Sequence, residues 1–592
     1  MYEKWVKVVI GIIILFCIPA SLSGNESTIY RDKFLFITDL NQSTLGDLYA
    51  TGKIIKKIIE FSSEHIDVSL IIRTDRNSND PQLTEIFLQC CQKVNIFITQ
   101  DWSETLLQDP ELQEIVKDSQ IVIFPAYDYL NRNNVLQILE KFKPSKPVIL
   151  YSEYDFNISN LDEINNSWCC ETGFGNPAGT GLGIFIENHI KPGDEYTKIT
   201  QEQFTVDILN FLYLNEGEPD AENKTWEQLE IDYKKTHKVY FGYFNGIEHA
   251  ENFYSNRNII NTKNFVLASI KKSFIDFKKN TQDKSVDILV PMKNNEFDEV
   301  VEYLGIKKTD ILLNDFEVSR IREVSFYTRA AHENKSEVLT KRNSVIINPE
   351  GNFDIRILNV FPIRNQLFKF FVKHSDPFVG VTGDQSFSEG LSLSKLNAYQ
   401  IMQWKEDMFD NFVSLCQFAL GEESYISKFY LAHKADNSND LTARFKNYLT
   451  ILSDLFENHE EEMLIESTNL YMYLKKDMNL YQNFLGLIYN PILDINTKEM
   501  LKNNLEKHFQ INKISNINNE NELTEDFQKL FISLGSNYQK LSWDRQLQNI
   551  YSSILYYVYI TPDENNVTIL VNQFVNRIGC LILHPGKMQS GS

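Results

Sequence analysis

The sequence has no excess of positive charge. Its 592 residues include 58 Lys and Arg against 80 Asp and Glu, which gives a formal net charge of −22. A general nucleic-acid binder needs cationic side chains to neutralise phosphates, so this balance argues against that class. A local basic cleft that holds a single anionic nucleotide remains compatible with it.

Cysteine is scarce and lacks a metal-binding spacing. Of the seven cysteines, Cys17 lies in an apolar N-terminal run and four form the adjacent pairs Cys90–Cys91 and Cys169–Cys170. Because no Cys-x-x-Cys spacing occurs, the pattern does not support a zinc site. A chain of this length with 43% hydrophobic residues can instead build large apolar cores.

Long apolar runs are confined to the N-terminus. Lys4 and Lys7 precede an apolar stretch from Val8 to Pro19, and small and polar residues follow it. This order predicts a signal peptide over residues 1–24, cut near Gly24. The alternatives are an uncleaved membrane anchor and a stretch buried in the fold. We expect a secreted or membrane-anchored protein, or one exported into a host cell, with membrane contact only through this segment.

Between residues 32 and 435, short apolar runs alternate with segments of helical periodicity. Runs such as KFLFITDL, IDVSLIIRT and QIVIFPA are continuous, which is typical of parallel strands buried on both faces. The pattern predicts two tandem doubly wound, Rossmann-like α/β domains, over residues 32–215 and 236–435. Long acidic segments without strand signals predict a helical C-terminal region over residues 436–592.

Two open α/β domains of similar size place the carboxyl ends of their strands around one cleft, where ligands of such sheets bind. Nucleotide-sugar glycosyltransferases of the GT-B type and periplasmic-type ligand binders share this layout. Chains of the binders cross between the domains two or three times, whereas each domain here is nearly continuous in sequence. The sequence therefore favours the GT-B arrangement, and fold alone does not decide function.

The first predicted strand ends in FITDLNQSTLGDLYATGK. Asp39 and Asp47 would stand at the mouth of the cleft, where a carboxylate can deprotonate an acceptor. Gly46 would let the backbone approach a ligand. In the alternative interpretation Ser43 or Thr44 caps the next helix, and Asp47 only favours its first turn.

The second motif, FVGVTGDQSFSEG, joins an apolar strand to a turn and a helix start. Backbone N–H groups and the positive end of a helix would meet at the turn, which is how proteins bind phosphate. An ordinary helix N-cap fits the same residues equally well. The candidate residues of this turn are Gly383, Asp384, Gln385 and Ser386.

Further candidates surround that turn. Lys395 and Arg364 are nearby cations that can meet a diphosphate, and Glu389 suits sugar or ribose hydroxyls. Asn245 follows the first strand of the second domain, and Phe361 can stack on a base, although ordinary turn chemistry explains both. The Gly-rich stretch from residue 170 to 185 is a candidate cleft loop. It is not a phosphate-binding P-loop, because no Gly-Lys-Ser/Thr follows.

Two segments resemble the protein-arginine rhamnosyltransferases that act on bacterial elongation factor P. TDLNQSTLGDLYATGKIIKKI is similar to their Asp-Asn-(Phe/Tyr)-Gly-Asp-Ile-Gly segment, and HSDPFVGVTGDQSFSEG to their Gly-Glu-Asp-Ser stretch. The resemblance implies that Asp47 is a general base and Asp39 the earlier aspartate. It also implies a donor site at residues 383–386 and at Gln403. Here Asp-Gln replaces the family's Glu-Asp.

The resemblance implies a GT-B glycosyltransferase that is metal-independent and inverting. It would take a nucleoside-diphosphate sugar as substrate and use no cofactor, with a protein or glycan as acceptor and no nucleic-acid partner. Two alternatives stay open: a non-catalytic ligand-binding or interaction protein on the same fold, and a sugar-nucleotide epimerase. The sequence does not identify the sugar, the nucleotide or the acceptor.

Overall fold

The computed structural model describes most of the chain between residues 32 and 488 and scattered parts of the rest. The described residues are 32–40, 46–62, 66–74, 94–99, 110–127, 148–152, 167–170, 172–175, 181–186, 237–244, 258–279, 285–304, 318–330, 338–361, 363, 365–434, 441–488, 501, 503–505, 507–508, 520–534, 547, 550–552, 554–555, 558, 567, 571 and 574. The predicted signal segment lies outside them. No helix within these ranges is long and apolar enough to cross a membrane.

Six parallel strands form the first sheet. They are β1 (Asp32–Leu40), β2 (Ile66–Thr74), β3 (Val94–Thr99), β4 (Ile121–Tyr127), β5 (Val148–Ser152) and β6 (Ser167–Cys170). Their order in the sheet is β3-β2-β1-β4-β5-β6. The continuous apolar runs bury both faces: along β1, Phe34 and Phe36 belong to one core, and Leu35 and Ile37 to another.

Helices cover both faces of the first sheet. Helix α1 (Gly46–Ser62) places Leu48 in the core that holds Phe36. Helix α2 (Pro110–Asp118) places Leu112 in the other core. The first unit is therefore doubly wound, as predicted.

Seven strands form the second sheet. They are β7 (His237–Gly242), β8 (Ser285–Leu289), β9 (Ile321–Ala330), β10 (Val338–Ile346), β11 (Phe353–Asn359), β12 (Phe378–Thr382) and β13 (Leu396–Gln400). Their order is β10-β9-β11-β8-β7-β12-β13. All neighbours are parallel except β9 and β10, which pair antiparallel at one edge.

The continuous apolar runs that indicate the buried strands do not extend to β9 and β10. Both strands carry charges that interrupt their apolar character, and these charges pair across neighbouring strands. Lys341 of β10 pairs with Glu323 of β9, and Arg322 of β9 pairs with Asp354 of β11. Charged side chains are common at a sheet edge because they discourage pairing with another chain.

Among the described residues, four helices accompany the second sheet: α3 (Thr262–Lys279), α4 (Asn294–Tyr303), α5 (Asn365–His374) and α6 (Gly383–Ser392). Adjacent strand residues point to opposite faces. On β7, Tyr240 belongs to the core that includes α3 and α4, and Phe241 belongs to the core beneath α5. The second unit is therefore also doubly wound, and the predicted α/β fold class is confirmed.

After β13 and one 3₁₀ turn, every element within the described ranges is a helix. These helices are α7 (Glu406–Leu420), α8 (Tyr425–Leu431), α9 (Leu441–Asn458), α10 (Glu460–Asp477), α11 (Leu480–Ile488) and α12 (Glu520–Leu534). The predicted helical C-terminal region is confirmed. Helix α9 packs on the second sheet, where Phe456 contacts Phe378. Helix α12 belongs to a separate core.

Residues between helices α10 and α11 contact the first unit. The amide of Ile184 donates to the carbonyl of Met478 at 2.9 Å, and the amide of Leu480 donates to the carbonyl of Ile184 at 2.9 Å. We call the two segments that meet here, residues 182–186 and 478–480, the seam. Gly183 has a φ of +94°, and a Cβ added to it would lie 2.0 Å from the Met478 oxygen. The glycines of the predicted cleft loop thus allow two backbones to approach closely.

We expect Gly183→Ala to destabilise the protein strongly, because the new Cβ would collide with backbone rather than with a flexible side chain. Left-handed strain and overpacking together predict a loss of roughly 3 kcal/mol in the free energy of unfolding. Gly421→Ala is the matched control, since Gly421 has a φ of +96° and open space around its Cβ position. Urea unfolding of both variants measures the difference. Equal losses would contradict a close contact at the seam.

Candidate functional site

Both sheets have one point where the order of the strands reverses. In the first sheet, β1 is flanked by β2 on one side and by β4 on the other; in the second, β7 is flanked by β8 and β12. Ligands of open parallel sheets bind outside the carboxyl ends of the strands at such switch points. Both motifs found in the sequence follow a strand at a switch point, β1 in the first unit and β12 in the second.

The first switch point contains the two predicted aspartates. Asp39 is in β1, in register with Arg73 of β2, and Asp47 is the second residue of α1. The side chains of both aspartates lie outside the described part of the structure, so their predicted role as bases stays a prediction.

The second switch point contains an open left-handed turn. Gly383 directly follows β12 with a φ of +74°, and no other described segment of the chain comes within 4 Å of its Cβ position. The side chain of Thr382 makes no capping hydrogen bond to α6. The helix therefore starts without a side-chain cap at a point where backbone can approach a ligand.

Asp384 pairs with a lysine that sequence reasoning missed. Lys405 lies in the 3₁₀ turn after β13 and is only 4% exposed. Its Nζ donates to Asp384 Oδ2 at 2.7 Å. Because β12 and β13 are parallel neighbours with Thr382 opposite Gln400, the segments that follow them lie side by side. The pairing of β12 with β13 therefore predicts that the partner of Asp384 comes from residues 401–405.

Glu389 also pairs with a lysine, and this one comes from the first unit. Lys53 of α1 donates to Glu389 Oε1 at 3.3 Å, and their side chains are 15% and 4% exposed. Gln385 Nε2 donates to the same oxygen at 3.3 Å. Each switch-point turn lies about six residues before this contact. At 1.5 Å per residue, that is about 9 Å along the helix. The structure thus brings the helices of both motifs together.

The serine hydroxyls of α6 bond within the helix. The hydroxyl of Ser386 donates to the carbonyl of Thr382, and that of Ser388 donates to the carbonyl of Asp384 at 2.8 Å. Both serines are buried. In this conformation the hydroxyl proton of Ser386 is donated within the helix. Ser386 therefore does not donate it to a ligand at the turn.

Lys395 is not at the turn, so the expectation that it meets a diphosphate is wrong. Its Nζ donates to the carbonyls of Lys373 at 3.1 Å and Ser375 at 2.8 Å, at the C-terminal end of α5. Lys395 precedes β13, and it therefore lies at the amino edge of the sheet. Helix α6 separates it from Gly383.

The remaining predicted residues lie at the carboxyl edge or outside the described ranges. Phe361 belongs to an aromatic cluster there, with ring centroids 5.8 Å from Tyr243 and 5.9 Å from Phe241. Gln403 is exposed in the turn before Lys405. Asn245 and Arg364 lie outside the described residues.

Comparisons with known proteins give weak structural likenesses. No family model matches the chain, and no curated protein matches it. It is similar to Phytolacca americana UGT2 complexed with UDP-2fluoro-glucose and pterostilbene, at 10% identity and a TM-score of 0.35, over 76% of this chain and 95% of that one. A glycosyltransferase from Rickettsia africae has 12% identity and a TM-score of 0.30, over 78% and 99%.

A third similar structure is the N-terminal domain of Candida albicans trehalose-6-phosphate phosphatase. It has 9% identity and a TM-score of 0.32, and the match covers 80% of this chain and 100% of that one. Several of these structures are named as glycosyltransferases, but at such TM-scores we base no argument on them. The resemblance to arginine rhamnosyltransferases finds no support among them.

We expect Lys405→Met to lower the free energy of unfolding by about 2–3 kcal/mol, because it leaves the half-buried Asp384 carboxylate without its ammonium partner. The control is Lys434→Met, which breaks a more exposed ion pair with Asp410 at 2.9 Å. That change should cost less than about 0.5 kcal/mol. Chemical unfolding measures both, and similar small losses would contradict a strong Lys405–Asp384 contact.

Proposed function

We propose that this protein is a GT-B glycosyltransferase, which moves a sugar from a nucleoside-diphosphate sugar to an acceptor. One observation carries the proposal. Two helices that begin at the switch points of separate sheets contact each other through Lys53 and Glu389. Both turns can therefore serve one cleft, with the donor at Gly383 and the acceptor near Asp47.

The charges around Gly383 support the donor assignment. Asp384 and Glu389 alone would repel a diphosphate, but Lys405 and Lys53 offset one carboxylate each. With these charges balanced, the positive end of α6 and its first N–H groups dominate the turn. This arrangement stabilises an anionic leaving group without a metal ion.

In the proposed reaction, Asp47 takes a proton from the acceptor, and Asp39 is the second candidate for this role. The acceptor atom attacks the anomeric carbon while the bond from that carbon to the diphosphate oxygen breaks. The nucleoside diphosphate leaves with the electron pair, at the start of α6. A single displacement inverts the anomeric carbon. The acceptor we propose is a protein side chain or a glycan, reached by a secreted, anchored or exported enzyme.

The other predicted residues have proposed places around the donor. Ser386 closes the turn from within the helix, and Gln403 flanks it next to Lys405. Phe361 offers an aromatic surface for the base. Asn245 and Arg364 follow strand ends at the same edge of the second sheet and stay proposals from the sequence.

Nucleotide binding tests the donor site. Isothermal titration of the full chain with UDP, GDP and TDP should show binding of at least one of them. Lys405→Met should weaken it at least about tenfold, which is about 1.4 kcal/mol, because Asp384 would then repel the diphosphate. Lys395→Met is the control, since it removes a buried ammonium next to the same two strands at their opposite end. Failure of the folded wild type to bind any of the three would refute the proposal.

Turnover tests the base. Asp47→Asn should lower release of sugar from the bound nucleotide sugar by about 10²–10⁴-fold, since proton transfer contributes that much. Nucleotide affinity should stay unchanged. Asp118→Asn, at an exposed ion pair with Lys33, is the control. Binding without any sugar release by the wild type would favour the non-catalytic alternative.

A further inference from the structure

One carboxylate oxygen of Glu389 links the first unit to the helix that begins at the proposed donor turn. Its Oε1 accepts from Lys53 of the first unit and from Gln385 of α6, each at 3.3 Å. Lys53 and Glu389 are 336 residues apart in the chain, and Glu389 is 4% exposed. Lys53 also lies 5.7 Å from the ring centroid of Phe185 in the seam. Residues of the first unit therefore hold the Lys53 ammonium in place.

This contact fixes which end of the Gln385 carboxamide faces Glu389. An ionised carboxylate only accepts hydrogen bonds, so the amide must present its NH₂ group to it. The carbonyl oxygen of Gln385 is then the other end of the amide, two residues after Gly383.

We propose that Lys53 and Glu389 are positioning residues that hold Gln385 so that its carbonyl oxygen accepts a hydrogen bond from a hydroxyl of the donor sugar. The inference rests on the proposed function. A carbonyl acceptor next to the diphosphate turn favours a ligand that carries a hydroxyl there. It disfavours a ligand that carries a further phosphate. Gln385 thus makes the site selective for sugar nucleotides over nucleoside diphosphates and triphosphates.

The test measures the dissociation constants of the nucleoside diphosphate and its sugar conjugate on the full chain, and compares their ratio between variants. Glu389→Gln allows the Gln385 amide to turn over, because the new side chain both donates and accepts. We expect the ratio of the two affinities, which is the preference for the conjugate, to fall at least about tenfold, whatever the change of charge does to the affinity for the diphosphate alone. Lys53→Met should act in the same direction, and Lys53→Arg should keep the preference.

Two further variants make the result decisive. Gln385→Leu removes the acceptor directly at a half-buried helix position, so it tests the inference even if the charged variants unfold. Lys57→Met is the matched control, one turn further along α1, where Nζ lies 5.7 Å from the Tyr481 ring centroid. It should leave the preference unchanged.

Each outcome separates this inference from the proposed function. Wild type that binds neither ligand contradicts the proposed function itself. Wild type that binds both, with Glu389→Gln and Gln385→Leu changing the two affinities by the same factor or not at all, overturns the positioning role alone. If Glu389 and Gln385 had a purely structural role, both affinities would change by the same factor.

Discussion

Position 183 must be glycine because the carbonyl oxygen of Met478 stands where a side chain would begin. This close approach lets the backbone of Ile184 exchange two hydrogen bonds with residues 478–480. Around it, Phe185 packs on Tyr481, and Tyr151 on Phe484. The seam therefore joins the first unit, which carries α1, to the helices that follow the second sheet.

Two lysine pairings explain how an acidic protein could hold the anion site that we propose. The chain carries a net charge of −22, and α6 itself contributes Asp384 in its first turn and Glu389 in its second turn. Each carboxylate is matched by one lysine from a different place: Lys405 from beyond the neighbouring strand, and Lys53 from the other unit. Pairing with nearby cations leaves the helix terminus as the local source of potential. The distant negative surface is screened by salt beyond about 10 Å.

The strands at the switch points could be predicted from sequence because burial on both faces requires continuous apolar runs. The edge strand β10 and its neighbour β9 were harder to predict because their charges pair across the sheet, which only the assembled sheet shows. Lys53 and Lys405 could not be predicted for the same reason. Lys395 was misplaced because proximity in sequence is not proximity in space. The ten residues of α6 carry the chain about 15 Å toward the opposite edge.

The seam has a consequence for biosynthesis. Residues 182–186 are made about 300 residues before residues 478–480, an interval of roughly 15–60 s at the usual rate of translation. During that time the partners that finally bury Ile184, Phe185 and Phe174 do not yet exist. The nascent first unit thus displays an apolar surface until the whole second sheet and the helices up to residue 480 have been made. Its core is completed when about 110 residues of the chain are still to be synthesised.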